Sequence, residues 1–354
     1  MNSKFWKNRN VFLTGHTGFK GGWTSLWLHL MGAKIHGYSL KPKKNSFFIS
    51  TNLEKKFSNS FYGNINNFKK LKEAMNKSKP SIIIHMAAQP LVRESYKAPM
   101  ETYLTNIIGT VNVLEAARFT DGVEAIINVT TDKCYENKEL NLPFKESDNL
   151  GGSDPYSSSK ACSELVTSAY RSSFFSSSNV KIATVRAGNV IGGGDWGKER
   201  LIPDFFKCFF SNKVMKVRYP NSIRPWQYVL DLISGYLKLA EKLVENKEEY
   251  SGAWNFGPNE NRKSLSVIEI LNHLSIKCEG INIETEKNLK PHESKFLSLN
   301  SSKSRKRLGW KNAWNIERTL DQTLNWYKAW KRSEDLMNIS ISEIKTYVNE
   351  LKNN

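Results

Sequence analysis

A tyrosine and a lysine stand four residues apart in the segment Tyr156-Ser-Ser-Ser-Lys160. If this segment is helical, both side chains lie on one face of the helix. A neighbouring ammonium group favours the phenolate, so the pairing predicts a lowered pKa for Tyr156. A phenolate can accept the proton of a substrate hydroxyl while a nicotinamide accepts the hydride. The spacing is also common on solvated helices, so its meaning depends on the elements around it.

A second polar group, Thr131-Asp132-Lys133, ends the apolar run of residues 125–131, which reads as a strand. Ligands of open α/β sheets bind outside the carboxyl ends of the strands, so these three side chains are expected to face the reacting carbons. The alternative is that Asp132 caps a turn by accepting backbone N–H bonds. The sequence leaves both interpretations open.

The third feature is a turn with glycines at positions 15, 18 and 21. It follows an apolar run that begins at Val11, and it precedes apolar residues with helical spacing, namely Trp23, Leu26, Trp27 and Leu30. A glycine-rich turn between a strand and a helix lets backbone N–H groups approach a pyrophosphate at the positive end of the helix. This context predicts a dinucleotide site.

The elements that must position these groups alternate between strand and helix up to about residue 188. Apolar strand runs near residues 33–38, 61–64, 81–88, 125–131 and 181–186 are separated by helical patterns. This order predicts a doubly wound parallel α/β sheet of the Rossmann type over residues 1–188, with a return segment near 226–256. Residues 189–354 are expected to form mainly a smaller lobe and a C-terminal helix, which Ser340 and Glu343 would start as a capping box.

The composition excludes several classes of protein. The 354 residues carry 52 Lys plus Arg against 34 Asp plus Glu, a net charge of +18. Compact basic clusters are few and lack interleaved aromatics, so we expect an anionic small substrate rather than nucleic acid. No apolar run is long enough to span a membrane, no signal peptide is evident, and the four scattered cysteines suggest neither disulfides nor a metal site. A cytoplasmic protein is expected.

With these motifs the chain resembles the extended short-chain dehydrogenase/reductases over nearly its full length. Within that superfamily it is similar to the nucleotide-sugar 4,6-dehydratases, above all to their CDP-glucose subset. The motifs that carry the resemblance are Gly15-His-Thr-Gly-Phe-Lys-Gly21, Ala87-Ala-Gln-Pro-Leu-Val-Arg-Glu-Ser-Tyr96, Thr131-Asp-Lys-Cys-Tyr135, Arg186-Ala-Gly-Asn-Val-Ile-Gly-Gly-Gly-Asp-Trp196 and Ile223-Arg-Pro-Trp-Gln227.

The resemblance implies the catalytic roles. Tyr156, helped by Lys160 and Thr131, would deprotonate the C4 hydroxyl of a hexose as hydride leaves C4. Asp132 would then protonate the departing C6 hydroxyl. Many relatives have a glutamate after this aspartate as the base for C5, whereas this chain has Lys133, which would act as a base only when neutral.

The resemblance also implies the binding residues. The cofactor would be bound by Gly15, Thr17, Gly18, Phe19, Lys20, Gly21, Asn64, Ile65, Ala87, Ala88, Gln89, Asn106, Tyr156 and Lys160. The substrate would be bound by Gln89, Arg93, Asn189, Arg200, Leu201, Arg224 and His292, and the alternative for Arg224 is a surface salt bridge. NAD is favoured over NADP, although the strand near Tyr38 ends without the usual acidic residue and Asn64 stands where many relatives have Asp.

These expectations amount to an enzyme that dehydrates CDP-glucose to its 4-keto-6-deoxy product, most simply as a homodimer or a higher homo-oligomer. The alternatives are a dehydratase for another nucleotide-linked hexose or heptose, and an epimerase of the same superfamily. A non-catalytic dinucleotide-binding protein is a more distant alternative.

Overall fold

A computed structural model describes residues 2–137, 142–258, 265–286 and 297–353 of the chain, without the side chains of residues 246 and 247. The strands of these residues are β1 (Asn10–Thr14), β2 (Lys34–Ser39), β3 (Asn59–Tyr62), β4 (Ile82–His85), β5 (Ala125–Val129), β6 (Lys181–Ala187), β7 (Val190–Ile191), β8 (Met215–Val217), β9 (Gln227–Tyr228), β10 (Gly252–Phe256) and β11 (Ile283–Thr285).

The helices are α1 (Ser3–Trp6), α2 (Phe19–Leu30), α3 (Phe47–Ser50), α4 (Phe68–Ser78), α5 (Val92–Lys97), α6 (Pro99–Tyr103), α7 (Gly109–Arg118), α8 (Pro155–Ser173), α9 (Leu201–Phe210), α10 (Val229–Asn246), α11 (Val267–Lys277), α12 (Ser302–Leu308), α13 (Ile316–Lys331) and α14 (Leu336–Asn353). A π-helical segment, Leu104–Ile108, joins α6 to α7. In the described parts of the chain, none of the helices is both long and apolar enough to cross a membrane.

Seven strands form one parallel sheet in the order β10-β6-β5-β4-β1-β2-β3. Successive side chains of a strand point to opposite faces, and both faces of this sheet are covered. In β4, for example, Ile83 belongs to the hydrophobic cluster on one face while Ile82 and Ile84 belong to the cluster on the other. The predicted doubly wound α/β fold is confirmed.

The order of the strands reverses at β1, which pairs with β4 on one side and β2 on the other. Such a reversal opens a crevice at the carboxyl ends of the strands. The turn after β1 and the loop after β4 both begin at this crevice. The predicted dinucleotide turn therefore lies where open α/β sheets bind ligands.

After β6 the chain leaves the sheet and returns as β10, which pairs in parallel with β6. Between these strands lie α9, α10 and a short parallel pair of β7 with β9. A second parallel pair joins β8 to β11. The segment that carries Asn189, Arg200 and Arg224 is therefore inserted between two neighbouring strands of the main sheet.

The C-terminal helix differs from the prediction at its start. It begins at Leu336 rather than at Ser340, and the carboxylate of Asp335 accepts from the backbone N–H of Asn338 at 3.0 Å. Ser340 and Glu343 face the core instead, where Ser340 accepts from the indole N–H of Trp326 and Glu343 accepts from the hydroxyl of Tyr228. The capping-box prediction was wrong because a Ser-x-x-Glu pair also fits the buried side of a helix.

Burial raises the pKa of Glu343 well above its ordinary value of 4.5. The folded chain therefore keeps a proton that the unfolded chain loses above this pH, so rising pH lowers the free energy of unfolding. Near pH 4.5 we expect Glu343→Gln and the wild type to have the same free energy of unfolding. Above that pH, the free energy of unfolding of the variant should exceed that of the wild type by up to about 1.4 kcal/mol more for each pH unit. Urea unfolding at a series of pH values measures the difference.

The matched control is Glu317→Gln, which changes an exposed glutamate at the start of α13. Its difference from the wild type is expected to stay constant over the same range of pH. A Glu343→Gln curve that runs parallel to the wild type from pH 5 to pH 8 would contradict the burial of a protonated acid.

Candidate active site

Three of the buried polar residues of helix α8 lie in one row along the helix. Asp154 caps the helix by accepting from the backbone N–H of Ser157 at 3.0 Å, and proline at the first helical position favours the start. Tyr156, Lys160 and Glu164 then follow at intervals of four residues and are all buried. The predicted pairing of Tyr156 with Lys160 on one face is present, and Glu164 extends it by one turn.

The same face binds the end of β5 through three consecutive residues. The ammonium of Lys160 donates to the carbonyl of Val129 at 3.0 Å. The next residue, Thr130, donates its hydroxyl to Glu164. The side chain of Thr131 lies beside the phenol of Tyr156 and lowers its pKa. The phenol and the strand end are therefore held together as one unit.

The turn after Thr131 leaves the carboxyl group of Asp132 available. Thr131, rather than Asp132, caps the turn, because its hydroxyl accepts from the backbone N–H of Lys133 at 3.4 Å. The same hydroxyl donates to Oδ1 of Asp132 at 3.1 Å. The second carboxyl oxygen, Oδ2, is buried without a hydrogen-bond partner in the described parts of the chain. The capping alternative for Asp132 was wrong.

Burial raises the pKa of Asp132 to about 6, against the lowering effects of Lys133, Thr131 and Arg224. A carboxyl group with this pKa is partly protonated near neutral pH. It can therefore serve as a general acid, since catalysis is most efficient when the pKa of the acid lies near the working pH.

The pKa of Tyr156 is raised to about 12, which contradicts the predicted lowering. Burial is the largest cause, and the charge of Asp132 acts in the same direction, while Thr131 and Arg200 act in the opposite one. Lys160 donates to a backbone carbonyl, and burial together with the charge of Lys20 lowers its pKa to about 7. A lysine with this pKa is a weaker source of positive charge than the sequence pattern implied.

The turn after β1 is shaped for close approach. Gly15 has φ +76, and a Cβ there would lie 2.8 Å from the backbone nitrogen of Ala87. A Cβ at Gly21 would lie 2.2 Å from the carbonyl oxygen of Gly15. Gly18 is exposed and stands at the N-cap of α2, so the positive end of a 12-residue helix opens onto the crevice. These residues fit the pyrophosphate of a dinucleotide.

The other residues of this turn have distinct environments. Thr17 bonds to the hydroxyl of Ser39 at 2.8 Å and donates to the carbonyl of Leu40 at 3.0 Å, which ties the turn to the end of β2. Phe19 and Lys20 begin α2. Burial and Arg200 lower the pKa of Lys20 to about 8, against the effects of Asp132 and Asp195.

The loop after β4 forms the opposite wall of the crevice. The hydroxyl of Thr14 accepts from the backbone N–H groups of Met86 and Ala87, each at 3.1 Å. Ala88 follows and is half-buried. Asn106 accepts from the backbone N–H of Gln89 and donates to its carbonyl. Because residues 87 and 88 are alanines, their short side chains leave room for a ligand in the crevice.

Asn106 also connects this loop to α8, because its amide donates to the hydroxyl of Ser159 at 2.9 Å. At the far end of the crevice, Asn64 accepts the backbone N–H of Asn66 through its side chain. Ile65 is buried and its carbonyl accepts from Asn112. Asn64 and Ile65 thus lie in the loop after β3, near the end of β2.

Most of the predicted substrate residues lie in the inserted segment or face it. Arg200 is held by both carboxylate oxygens of Asp195, at 3.1 and 2.9 Å, and Leu201 begins α9. Arg224 acts electrostatically on Asp132. Arg93, on α5, forms an ion pair of 3.8 Å with Glu199.

The remaining predictions for the substrate are placed as follows. Asn189 lies at the start of the β7–β9 pair, where its carbonyl accepts from the backbone N–H of Gln227 at 3.0 Å. Gln89 is bound to its own loop through Leu91 and Thr102. His292 lies outside the described residues. No cluster of metal-ligating side chains occurs in the described ranges.

The sequence analysis did not predict the residues that hold the site residues in place through hydrogen bonds and ion pairs. Glu164 accepts from Thr130 and Thr184 and forms a buried ion pair with Arg186 at 2.9 Å. Its spacing of four residues from Lys160 is the signal that could have identified it. Asp195, which holds Arg200, gives no such signal because the two residues are joined by an irregular loop and not by a helix or a strand.

The comparisons with known proteins agree with this geometry. The chain matches the family model described as GDP-mannose 4,6 dehydratase over residues 12–323. It is 44% identical over 355 residues to a CDP-glucose 4,6-dehydratase of Salmonella typhimurium, and the match covers 98% of each chain.

Two solved structures show the same fold. An epimerase from Methanothermobacter thermautotrophicus superposes with a TM-score of 0.80 at 22% identity, covering 94% of this chain and 96% of that chain. A dTDP-glucose 4,6-dehydratase from Bacillus anthracis in complex with NAD superposes with a TM-score of 0.76 at 20% identity, covering 93% and 99%. Together with the family match, these findings show that the chain belongs to the nucleotide-sugar 4,6-dehydratase family of enzymes.

Proposed function

We propose that the protein converts CDP-D-glucose to CDP-4-keto-6-deoxy-D-glucose. The observation that supports the reaction type is the buried carboxyl group of Asp132, whose raised pKa suits an acid that expels a hydroxyl. The relative with 44% identity over nearly the whole of both chains supports the choice of substrate. A simple C4 epimerase has no use for such an acid, because it expels no hydroxyl.

NAD is the proposed cofactor. The glycine turn and the open N-terminus of α2 fit a dinucleotide, and the related dehydratase structure from Bacillus anthracis is an NAD complex. When bound, NAD+ supplies an acceptor for the hydride of C4 and later returns this hydride to C6. Gly15, Gly18 and Gly21 would hold the pyrophosphate, and Lys160 would orient the ribose beside Tyr156.

Tyr156 is the proposed base for oxidation at C4. Its phenol lies beside Thr131, whose side chain lowers the pKa of the phenol, so both groups can contact one substrate hydroxyl. Arg200 lowers the pKa of the phenol, and the charge of Asp132 raises it. A protonated Asp132 therefore favours the phenolate, which links the state of the acid to that of the base.

Asp132 and Lys133 are proposed for the loss of water. Once C4 is a ketone, the hydrogen on C5 is acidic, and Lys133 either removes this proton or stabilises the enolate that forms. Asp132 donates its proton to the C6 oxygen, so C5 loses a proton, C6 loses a hydroxyl, and one molecule of water leaves. Arg200, Arg224 and Asn189 are proposed to bind the diphosphate and the nucleotide.

A homodimer is the proposed assembly. The helices beside the active site expose large apolar side chains, with Met100 at 76%, Leu104 and Ile108 at 43% each and Leu165 at 58% exposure. Leu165 is on α8, and the hydroxyls of Tyr103 and Ser158 join α6 to α8 at 2.8 Å. Exposed large apolar side chains on neighbouring helices are typical of an interface. The four free cysteines support a reducing compartment such as the cytoplasm.

The substrate assignment is tested by incubating the protein and NAD+ with CDP-, dTDP-, UDP- and GDP-linked hexoses and following the loss of water by mass spectrometry. We expect CDP-glucose to be dehydrated with a kcat/KM at least about 100-fold above the others, because a base held by hydrogen bonds excludes analogues that leave buried groups unpaired. Dehydration of another nucleotide sugar in preference to CDP-glucose would overturn the substrate assignment alone.

Asp132→Asn and Lys133→Met separate the two proposed halves of the elimination. We expect Asp132→Asn to lower kcat by about 100-fold or more and to accumulate a 4-keto hexose that keeps its C6 oxygen. Lys133→Met is expected to take up little solvent deuterium at C5. Borodeuteride quenching followed by mass spectrometry measures both.

The pH profile adds a third measurement. An acid must be protonated to act, so the rate of elimination by the wild type is expected to fall as the pH rises through about 6, the pKa of Asp132.

Near-normal turnover by Lys133→Met would remove Lys133 from the mechanism.

Leu165→Glu tests the proposed dimer. A charge in the centre of an apolar interface cannot be desolvated without a partner, so we expect this variant to sediment as a monomer. Ile276→Glu is the matched control, because Ile276 is 78% exposed on α11, away from α8. Equal molecular masses for both variants would rule out an interface through α8.

A further inference from the structure

The carboxylate of Glu164 is the most completely bound charged group near the active site. Its Oε1 accepts from Thr130 at 2.5 Å and from Nε of Arg186 at 2.9 Å. Its Oε2 accepts from Thr184 at 2.7 Å and from Nη2 of Arg186 at 2.9 Å. Each oxygen thus receives one hydroxyl and one guanidinium N–H. These four bonds lower the pKa of Glu164 despite its burial.

The two hydroxyls come from different parts of the site. Thr184 lies within β6, and its hydroxyl donates to Oε2 of Glu164. Thr130 directly precedes Thr131 and Asp132, and its backbone N–H donates to the carbonyl of Val185 at 2.9 Å. Glu164 is thereby bonded to the strand end that carries the acid.

The bond from Thr130 to Glu164 differs from the two neighbouring contacts between α8 and the end of β5. Lys160, which donates to the carbonyl of Val129, and Tyr156, which lies beside Thr131, are groups that the proposed reaction uses. Thr130 and Glu164 take no part in the chemistry, so their bond can persist through the whole cycle.

We propose that Thr130 is a positioning residue for the dehydration: its hydroxyl, fixed by Glu164, sets where Thr131 and Asp132 stand relative to Tyr156. The inference rests on the proposed function, because it concerns the alignment of an acid with a base that act on the same sugar. Tyr156 and Glu164 share α8, so this bond connects the helix that carries the base to the strand end that carries the acid.

The consequence is a specific defect when the bond is lost. Oxidation at C4 needs Tyr156, which α8 holds independently of Thr130, and the neighbouring Thr131, which assists it. Elimination also needs Asp132 at the C6 oxygen, and a misplacement of about 1 Å can lower a rate by about 100-fold. Loss of the Thr130 hydroxyl should therefore slow the second half of the reaction more than the first.

The test compares Thr130→Val with Thr184→Val. Each variant replaces a hydroxyl by a methyl group of similar size and removes one bond to the same carboxylate. For Thr130→Val we expect kcat to fall at least about tenfold with KM within about twofold, and the borodeuteride-trapped 4-keto hexose that keeps its C6 oxygen to rise above its wild-type fraction. Thr184→Val should lose similar thermal stability while keeping the wild-type kcat and trapped fraction.

Thr130→Ser restores the hydroxyl and is expected to return both kcat and the trapped fraction to within about twofold of the wild type. A purely structural role would lower the amount of active enzyme without changing the trapped fraction. Equal kcat and equal trapped fractions for Thr130→Val and Thr184→Val would overturn the proposal.

If Thr130→Val does not fold, Thr130→Ala and Thr184→Ala make the same comparison without crowding the site. The assays use whichever nucleotide sugar the wild type dehydrates best. Failure of CDP-glucose as a substrate would then count against the proposed function only, whereas an unchanged trapped fraction in the threonine variants would count against the positioning role only.

Discussion

The buried ion pair between Glu164 and Arg186 is the interaction on which the active site depends. Both side chains are almost completely inaccessible to solvent, and isolated charges in such a place would each cost several kcal/mol. The pair is stable because every oxygen of the carboxylate is bonded, and because Arg186 also donates to Tyr135 at 2.8 Å and to the carbonyl of Glu146 at 3.2 Å. The network fixes α8, the end of β5 and β6 to one another, so it holds the elements that carry the proposed catalytic residues in fixed relative positions.

Burial shapes the reactive groups in front of this network as well. It raises the pKa of both Asp132 and Tyr156, because removal from water disfavours the charged form of any acid. For Asp132 the effect is useful, since the proposed role requires a proton. For Tyr156 it is an obstacle, which Thr131 and Arg200 reduce. The same burial therefore favours the proton on Asp132 that the reaction needs and opposes the phenolate of Tyr156. Only the neighbours of Tyr156 reduce this second effect.

The sequence predicted those parts of the molecule that depend on local spacing. The apolar run of β5, the glycine turn and the placement of Tyr156 with Lys160 follow from periodicity, which is a property of a few neighbouring residues. The pKa of Tyr156 depends on burial and on Arg200, which is remote in sequence, so a local pattern gave the wrong direction. The start of α14 was also predicted wrongly, because Ser340 and Glu343 meet their partners in distant segments and the four-residue pattern cannot show which side of the helix they occupy.

The pairing of β10 with β6 has a consequence for folding during synthesis on the ribosome. After β6 emerges, one edge of the sheet stays without its neighbour until the whole inserted segment, with Arg200 and Arg224, has been synthesised and β10 arrives. During that interval Asn255 is also missing as the acceptor for the hydroxyl of Tyr135, which in turn accepts from Arg186. The network behind the active site is therefore completed late, and a chain that stalls within the insertion exposes an open strand edge to aggregation.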